Sequence, residues 1–387
     1  MTASASSDRR PLLTVLALLF TTGWATNHFV AMMPVLHERS GISDAALEGA
    51  FGIYAVGLLP GLLTGGGISD RVGRRPIVLS GAAGAALGNL LMLVWHTEPG
   101  VFVGRFAVGL GVGLAVSAGT AWAADLGGAR GTVAAGATLT AGFGIGPLVS
   151  GLIAQFSGSA AVVGPFVVTV TGSALAVVAG FGVPSERHTR SARARRADED
   201  TRSLRRALVT SLPMSLWVFS AVTTSVVTMA ARMSDFDGPW VPGVAAVLAL
   251  GSGVAIQVFA RRGEWGPRCG VGGALLAAVG FAVVAASGSD PSPIAFVAAS
   301  VVLGSGYGLC LREGLLDVET SAPTDRAGLA TGVFYVGTYL GFGLPVLLRA
   351  IQPAAGITAP ILVLAGGAVL CAAIRAVQIR SGMHAAR

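Results

Sequence analysis

Long apolar runs alternate with short polar breaks along this chain, twelve times over. The runs fall near 11–35, 46–66, 76–96, 100–124, 131–156, 160–183, 206–230, 240–260, 268–287, 292–314, 327–350 and 356–380. A helix needs about 20 such residues to cross the hydrocarbon core of a bilayer, and every run reaches that length. The pattern therefore predicts an all-α membrane protein with twelve transmembrane helices. Gly and Pro recur inside the runs, which membrane helices tolerate because neighbours satisfy the freed backbone groups. The first run follows Arg9 and Arg10, as in a signal peptide. It continues to about Met33 without a clean small-residue cleavage site, so an uncleaved first helix is expected.

Composition agrees with this class. The 387 residues are 53% hydrophobic and 12% charged, against about 25% charged in an average soluble domain. The net charge is +7 and every basic residue is arginine. A basic chain raises the question of nucleic acid, but here the arginines sit in short breaks between apolar runs, which is a matter of topology. With the N-terminus placed inside, only Arg39, Arg105, Arg232 and Arg349 of the 26 arginines fall on the outer half, and the other 22 lie in the two tails and the even-to-odd loops. That bias predicts both termini in the cytoplasm. The all-Arg, Ala/Gly/Val-rich usage suggests a bacterial chain, hence the cytoplasmic membrane. Cys269, Cys310 and Cys371 lie in or beside apolar runs and read as small buried side chains.

The longest loop, PSERHTRSARARRADEDTRSLRR, runs from Pro184 to Arg206 near the middle of the chain. It is too polar to span and too short to be a domain. The expected organisation is a six-helix bundle at 1–183, a cytoplasmic linker at 184–205 and a second six-helix bundle at 206–387. The halves echo each other. VGRRP follows helix 2 and WGPR follows helix 8, with Gly73 and Gly266 separated by 193 residues. ADLGGARG precedes helix 5 and DVETSAPTDRAG precedes helix 11. Two pseudo-symmetric halves about an axis along the membrane normal are a known transporter plan.

Charge is concentrated once, in GGGISDRVGRRP at 65–76. Gly66, Asp70, Arg71, Gly73, Arg74 and Arg75 resemble the signature that the major facilitator superfamily carries between helices 2 and 3: glycine, three residues, then Asp-Arg-x-Gly-Arg-Arg. The resemblance extends over the twelve spans, the central loop and the half-chain repeat. The second copy, RRGEWGPR, lacks the Asp. The resemblance implies the MFS fold and secondary transport by alternating access. It also implies a gating role for this loop, with Asp125 at the end of helix 4 as partner for the arginines. Asp70 is placed to cap a helix N-terminus. The glycines at the end of helix 2 permit close approach of another helix.

Helix 5 reads GFGIGPLVSG, in which Gly142, Gly146 and Ser150 share a face, Pro147 adds a bend and Gly151 closes the motif. It resembles the antiporter motif of proton-driven drug exporters, departing from it at Ser150 and Val133. Helix 11 carries an echo in Gly337, Gly341 and Pro345, and helix 2 repeats the spacing in Gly57, Gly61 and Gly65.

Charged and polar groups within spans are functional candidates. Arg105, with Gly109 and Gly111, resembles a third family motif, RxxxGxG, associated with proton coupling. A carboxylate that trades its proton for substrate would suit an arginine neighbour, and Glu48 in helix 2 is either that group or a wet surface acid. Asn27 and His28 lie in the outer half of helix 1. His28 changes charge near neutral pH and is either a proton shuttle or a structural histidine. Where multidrug exporters often have Asp in this region, the chain has Ala25, which argues against strongly cationic substrates. Arg312 and Glu313 are adjacent, about 100° apart on a helix, so pairing across helices near the cytoplasmic mouth is expected, and Glu313 stands with Glu48 and His28 as a candidate for the coupled proton. Asp317 and Glu319 are candidates to mirror Asp125. Tyr307, Tyr335, Tyr339 and Trp217 are cavity candidates.

No phosphate-binding loop and no metal-ligand cluster stands out, so neither an enzyme nor an ATP-driven pump is expected, and no catalytic residue is assigned. The expected function is proton-coupled efflux of a small amphiphilic compound. Alternatives are import of a sugar or organic acid, or a transport-inactive sensor or scaffold. No cofactor is expected beyond the proton gradient. The expected partners are the lipid bilayer, protons and a small-molecule substrate, with no nucleic acid, and the chain is expected to be a monomer.

Overall fold

The structure, a computed structural model, describes residues 10–183, 203–234, 236, 238–323 and 326–383. Most of the expected linker, 184–202, lies outside the described residues. Twelve helices among the described residues are long and apolar enough to cross a membrane. They are α1 (Arg10–Ser40), α2 (Asp44–Val72), α3 (Arg74–Val94), α4 (Glu98–Gly128), α5 (Arg130–Phe156), α6 (Val163–Gly180), α7 (Leu204–Arg232), α8 (Val241–Arg262), α9 (Arg268–Ala286), α10 (Pro293–Ser321), α11 (Ala327–Ala355) and α12 (Thr358–Arg380). The expected spans are found, and α2 and α10 run beyond their apolar stretches. A helix that continues past lipid keeps its backbone bonds, which leaves fewer orphaned groups than an early break.

Glycine ends α2. Gly73 donates its N–H to the Ser69 carbonyl at 3.0 Å and takes φ 104°, a region side chains with a Cβ avoid. Gly266, between α8 and α9, also has positive φ, at 58°. The two loop motifs thus share a backbone device as well as a sequence echo.

Inside the helices glycine serves packing instead. On α4, a Cβ at Gly109 or Gly113 would strike the α2 backbone at Tyr54 and Leu58, and one at Gly111 would strike α3 at Gly81 and Ala85. On α10, Gly304 and Gly308 meet α8 at Ala249 and Gly253, and Gly306 meets α9 at Gly273 and Ala277. One packing plan is used twice: a central helix presents alternate glycines to two neighbours. Such close approach is how membrane helices gain dispersion contacts without a hydrophobic driving force. α7 is interrupted by a π-helical stretch at Thr224–Met229 and a 3-10 turn at Ala230–Arg232.

The chain forms two compact units. One takes in Met1–Phe29, Ile53–Gly146 and Val162–Arg190, and the other Val30–Gly52, Pro147–Ala161 and Ser191–Arg387. The second unit therefore includes the C-terminal third of α1, the start of α2 and the end of α5. In α5 the division falls at the Gly146–Pro147 step.

Replacing Gly111 by Leu is expected to cost about 1–3 kcal/mol or more through overpacking, read as a lower thermal midpoint on fluorescence-detected gel filtration. Gly136→Leu is the control, since a Cβ there meets nothing within 4 Å. It should leave the midpoint unchanged.

Candidate functional site

At the arginine-rich end of the first unit, Arg74 gathers the loop. Its Nη1 pairs with Asp70 and donates to Ser69 Oγ at 2.6 Å, while Nε donates to Asp125 Oδ2 at 3.0 Å. The expected link between the loop and Asp125 is present. The expected cap is not: α3 is capped by Gly73 without a side-chain bond. Asp70 still lies within α2, four residues before Arg74, where the i,i+4 ion pair is its nearest option. Arg75 turns the other way, donating to the Val183 carbonyl at 3.1 Å with its guanidinium 5.9 Å from the Phe181 ring. Gly65 and Gly66 lie against Leu114 and Ser117 of α4, so α2 meets α4 closely where the loop begins.

Deeper in the same unit, Arg105 is fully buried. Its guanidinium lies 4.6 Å from both the Phe29 and Tyr54 rings, and Nη1 donates to the Thr26 carbonyl at 2.7 Å. Gly109, one turn on, brings Tyr54 close. The cation is thus held by two aromatic faces and a carbonyl, an arrangement that cation–π attraction favours when water is excluded. Among the described residues no carboxylate oxygen lies within 4 Å of it. His28 is buried beside this network, with Nε2 2.6 Å from Asn89 Oδ1 and the ring edge-on to Phe166. Asn89 spends its amide on the Ala25 and Ala85 carbonyls, so Nε2 is the donor to Oδ1. Asn27 points away to tie α1 to α5, donating to the Phe143 carbonyl at 2.8 Å.

In the second unit, Glu48 pairs with Arg349 of α11, Oε2 to Nε at 2.7 Å, and Asp44 takes Arg349 Nη1 at 3.5 Å. These three groups, with Glu38, Arg39 and Gln155, line a cavity of about 380 Å³. Beside them Phe51 stacks on Phe342 at 4.9 Å. Phe342, Phe219, Tyr339, Tyr335 and Tyr307 form a continuous chain of ring contacts. Three of the four aromatics singled out from sequence are therefore together. Trp217 is apart, edge-on to Phe281. Phe219, Phe342 and Phe51 had no distinguishing sequence signal among apolar neighbours.

The α5 motif is divided between the units. Gly142 and Gly146 pack on α1 at Phe20 and Trp24. Gly151 packs on Pro239 and Trp240, and Pro147 and Leu148 meet Gly243 of α8. Ser150 is buried.

One cluster joins Arg312, Glu313 and Asp317 to an arginine that the sequence did not single out. Arg375 of α12 is fully buried and makes a forked pair with Asp317 of α10, Nη1 to Oδ2 and Nη2 to Oδ1. Its Nη2 also reaches Glu313 Oε2 at 3.2 Å. Arg312 pairs with the other oxygen of Glu313, Oε1. The expected pairing across helices is found for Glu313, with Arg375, while the expectation that adjacent Arg312 and Glu313 would be poor partners is corrected. Their Cα–Cβ bonds diverge, but a long arginine wraps back, and two carboxylate oxygens serve two arginines. Asp317 pairs with Arg375 of α12, a partner from a transmembrane helix where Asp125 takes Arg74 at the start of α3.

Twelve apolar helices, long enough to cross a membrane and packed on a twice-used glycine plan, define a multi-pass membrane protein. The match to the family described as the Major Facilitator Superfamily covers residues 13–345, and the chain belongs to that family. It is not an enzyme. Curated relatives include the multidrug resistance protein MdtL of Klebsiella pneumoniae, 33% identical over 98 residues, which are 25% of this chain and 24% of that protein. MdtL of Shewanella oneidensis is 34% identical over 98 residues, with the same coverage, 25% and 24%. The matches thus span about a quarter of those relatives. Among solved structures, a POT family transporter with 5-aminolevulinic acid superposes with TM-score 0.78 at 15% identity, over 96% of each chain. One with a thioalcohol-conjugated peptide gives TM-score 0.77, also at 15% identity over 96% of each. These share the fold.

Arg375→Met would leave two buried carboxylates without their shared cation. A loss of about 3–5 kcal/mol is expected, measured as a lowered thermal midpoint in detergent. Arg349→Met should cost ~1 kcal/mol or less, since the Arg349 side chain is 43% exposed.

Proposed function

We propose that the protein is a proton-coupled exporter of small amphiphilic compounds in the bacterial cytoplasmic membrane, with both termini inside. Transport proceeds by alternating access between the halves 1–183 and 206–387. The observation that carries this reading is the sharing of one arginine by two acids at two partly exposed places, apart from the fully buried Arg375 group. Arg74 is held by Asp70 and Asp125, and Arg349 by Asp44 and Glu48. Each group sits near helix ends, where water can re-solvate the charges when the contact opens. The exposed pairs among these, Arg349 with Asp44 above all, contribute little net stability, which suits contacts that break in every cycle.

Export is supported by the Gly-Pro step of α5 and by the name of the MdtL relatives, which match a quarter of the chain. The buried Arg105 and the absence of an acid at Ala25 favour neutral or weakly charged compounds over strong cations. The ring chain from Tyr307 to Phe342 supplies flat apolar faces for such molecules.

The test is proton flux in proteoliposomes loaded with a pH-sensitive dye, with candidates taken from the drug sensitivities of a deletion strain. Substrate-driven flux is expected in the wild type, lost in Arg105→Ala and strongly reduced in Asp70→Asn, with both variants still inserted. Binding without flux would support a sensor or scaffold instead.

A further inference from the structure

The cluster of Glu313, Asp317 and Arg375 can be judged against the molecule's own repeat. In the first unit α6 places Gly180 against Leu79 of α3 and Leu18 of α1. Those leucines belong to an apolar cluster with Ala118 and Trp122 of α4. In the second unit α12 places Arg375 against Gly270 of α9 and Met214 of α7. Glu313 and Asp317 of α10 then stand where α4 supplies apolar side chains. The two corners are built by corresponding helices. One is filled by leucine over glycine, the other by arginine over glycine. The fold therefore builds this corner without charge, and four ionisable side chains here are not a requirement of packing. Buried ion pairs rarely stabilise more than apolar groups of the same volume, which points to use.

The two acids are held unequally. Asp317 has a forked pair with Arg375, the strong bidentate geometry. Glu313 shares a single Arg375 nitrogen and spends its other oxygen on Arg312. The Arg312 side chain is 21% exposed and the Glu313 side chain is fully buried. Arg312 thus links the buried carboxylate to the partly exposed edge of the cluster.

We propose that Glu313 is a proton-exchanging carboxylate of the transport cycle, that Asp317 and Arg375 position it, and that Arg312 is released when it takes up a proton. The proposal rests on the reading of the protein as proton-coupled. With Glu313 ionised, the two arginines and two acids sum to zero charge. One proton from water adds an O–H bond at Glu313, leaves a net charge of +1, and deprives Arg312 of its counter-ion. Arg312 is then free to take an acid or a headgroup at the helix end. The other groups facing the cluster are few in kind. α10 adds Cys310, within electrostatic reach of Glu313, Arg375 and Cys371 of α12. α9 adds Cys269, 3.8 Å from Arg312 Nη1. α7 offers the Thr210 carbonyl to Arg375 at 3.3 Å, and α11 lays Phe334 on Gly314.

Infrared pH-difference spectra of the protein in lipid vesicles test this without a substrate. The C=O stretch of a protonated carboxyl in apolar surroundings should appear as pH falls and be absent in Glu313→Gln. In Arg312→Gln, which loses a cation beside the carboxylate, the same band should appear at higher pH. In Asp317→Asn, which leaves Arg375 to Glu313 alone, it should appear at lower pH. A band unchanged in Glu313→Gln overturns the proposal. So does a midpoint unmoved in Arg312→Gln, a second variant at the wetter edge of the cluster. Proton flux driven by a panel of neutral amphiphilic dyes separates the two levels. Flux that survives in Glu313→Gln overturns this proposal and leaves the exporter reading standing. A Glu313 band in a protein that shows no flux supports the site and counts against the exporter reading.

Discussion

A guanidinium held away from water must be matched where it lies, because it cannot shed its proton. This chain, with 26 arginines and no lysine, meets that constraint in four ways. Arg74 is matched by two acids and a serine at a helix end. Arg105 is matched by two aromatic faces and a carbonyl. Arg349 is shared by two acids beside a cavity. Arg375 is locked between two fully buried acids. The third, 43% exposed, sits where water can replace a lost partner, and the first meets water through Asp70, 59% exposed. The second and fourth sit where nothing can, so their surroundings must move with them or stay fixed.

Glycine makes those placements possible. The alternate glycines of α4 bring Tyr54 close enough to lie on Arg105, and those of α10 draw α8 and α9 against the helix that carries Glu313 and Asp317. Packing and electrostatics are therefore one design. A residue with a Cβ at Gly109 would move Tyr54, and with it one face of the site that holds Arg105.

The sequence made the spans legible because hydropathy alone decides what crosses lipid. The charged loop and its link to Asp125 were legible through family resemblance. Asp70 was misread as a cap because chain order does not show that α2 continues to Val72. Arg375 was missed because it lies five residues from the end of α12 and counts as one more arginine on the inner side. The available signal was the i,i+4 spacing of Glu313 and Asp317, which puts two acids on one face of an apolar helix and demands a cation. The fate of Glu48 could not be read at all, since its partner, Arg349, lies 301 positions away.

On the proposed transport cycle, contacts such as the Arg349 group mark an end that opens and closes. Phe51 and Phe342 stack beside it, with ring centroids 4.9 Å apart. Cysteines at these two positions, in a variant whose native cysteines are replaced, can be joined by oxidation. Transport measured before oxidation, after it, and after reduction tests the claim most directly. Activity should be abolished by the cross-link and restored by its reduction. Full transport with the cross-link intact would contradict the claim.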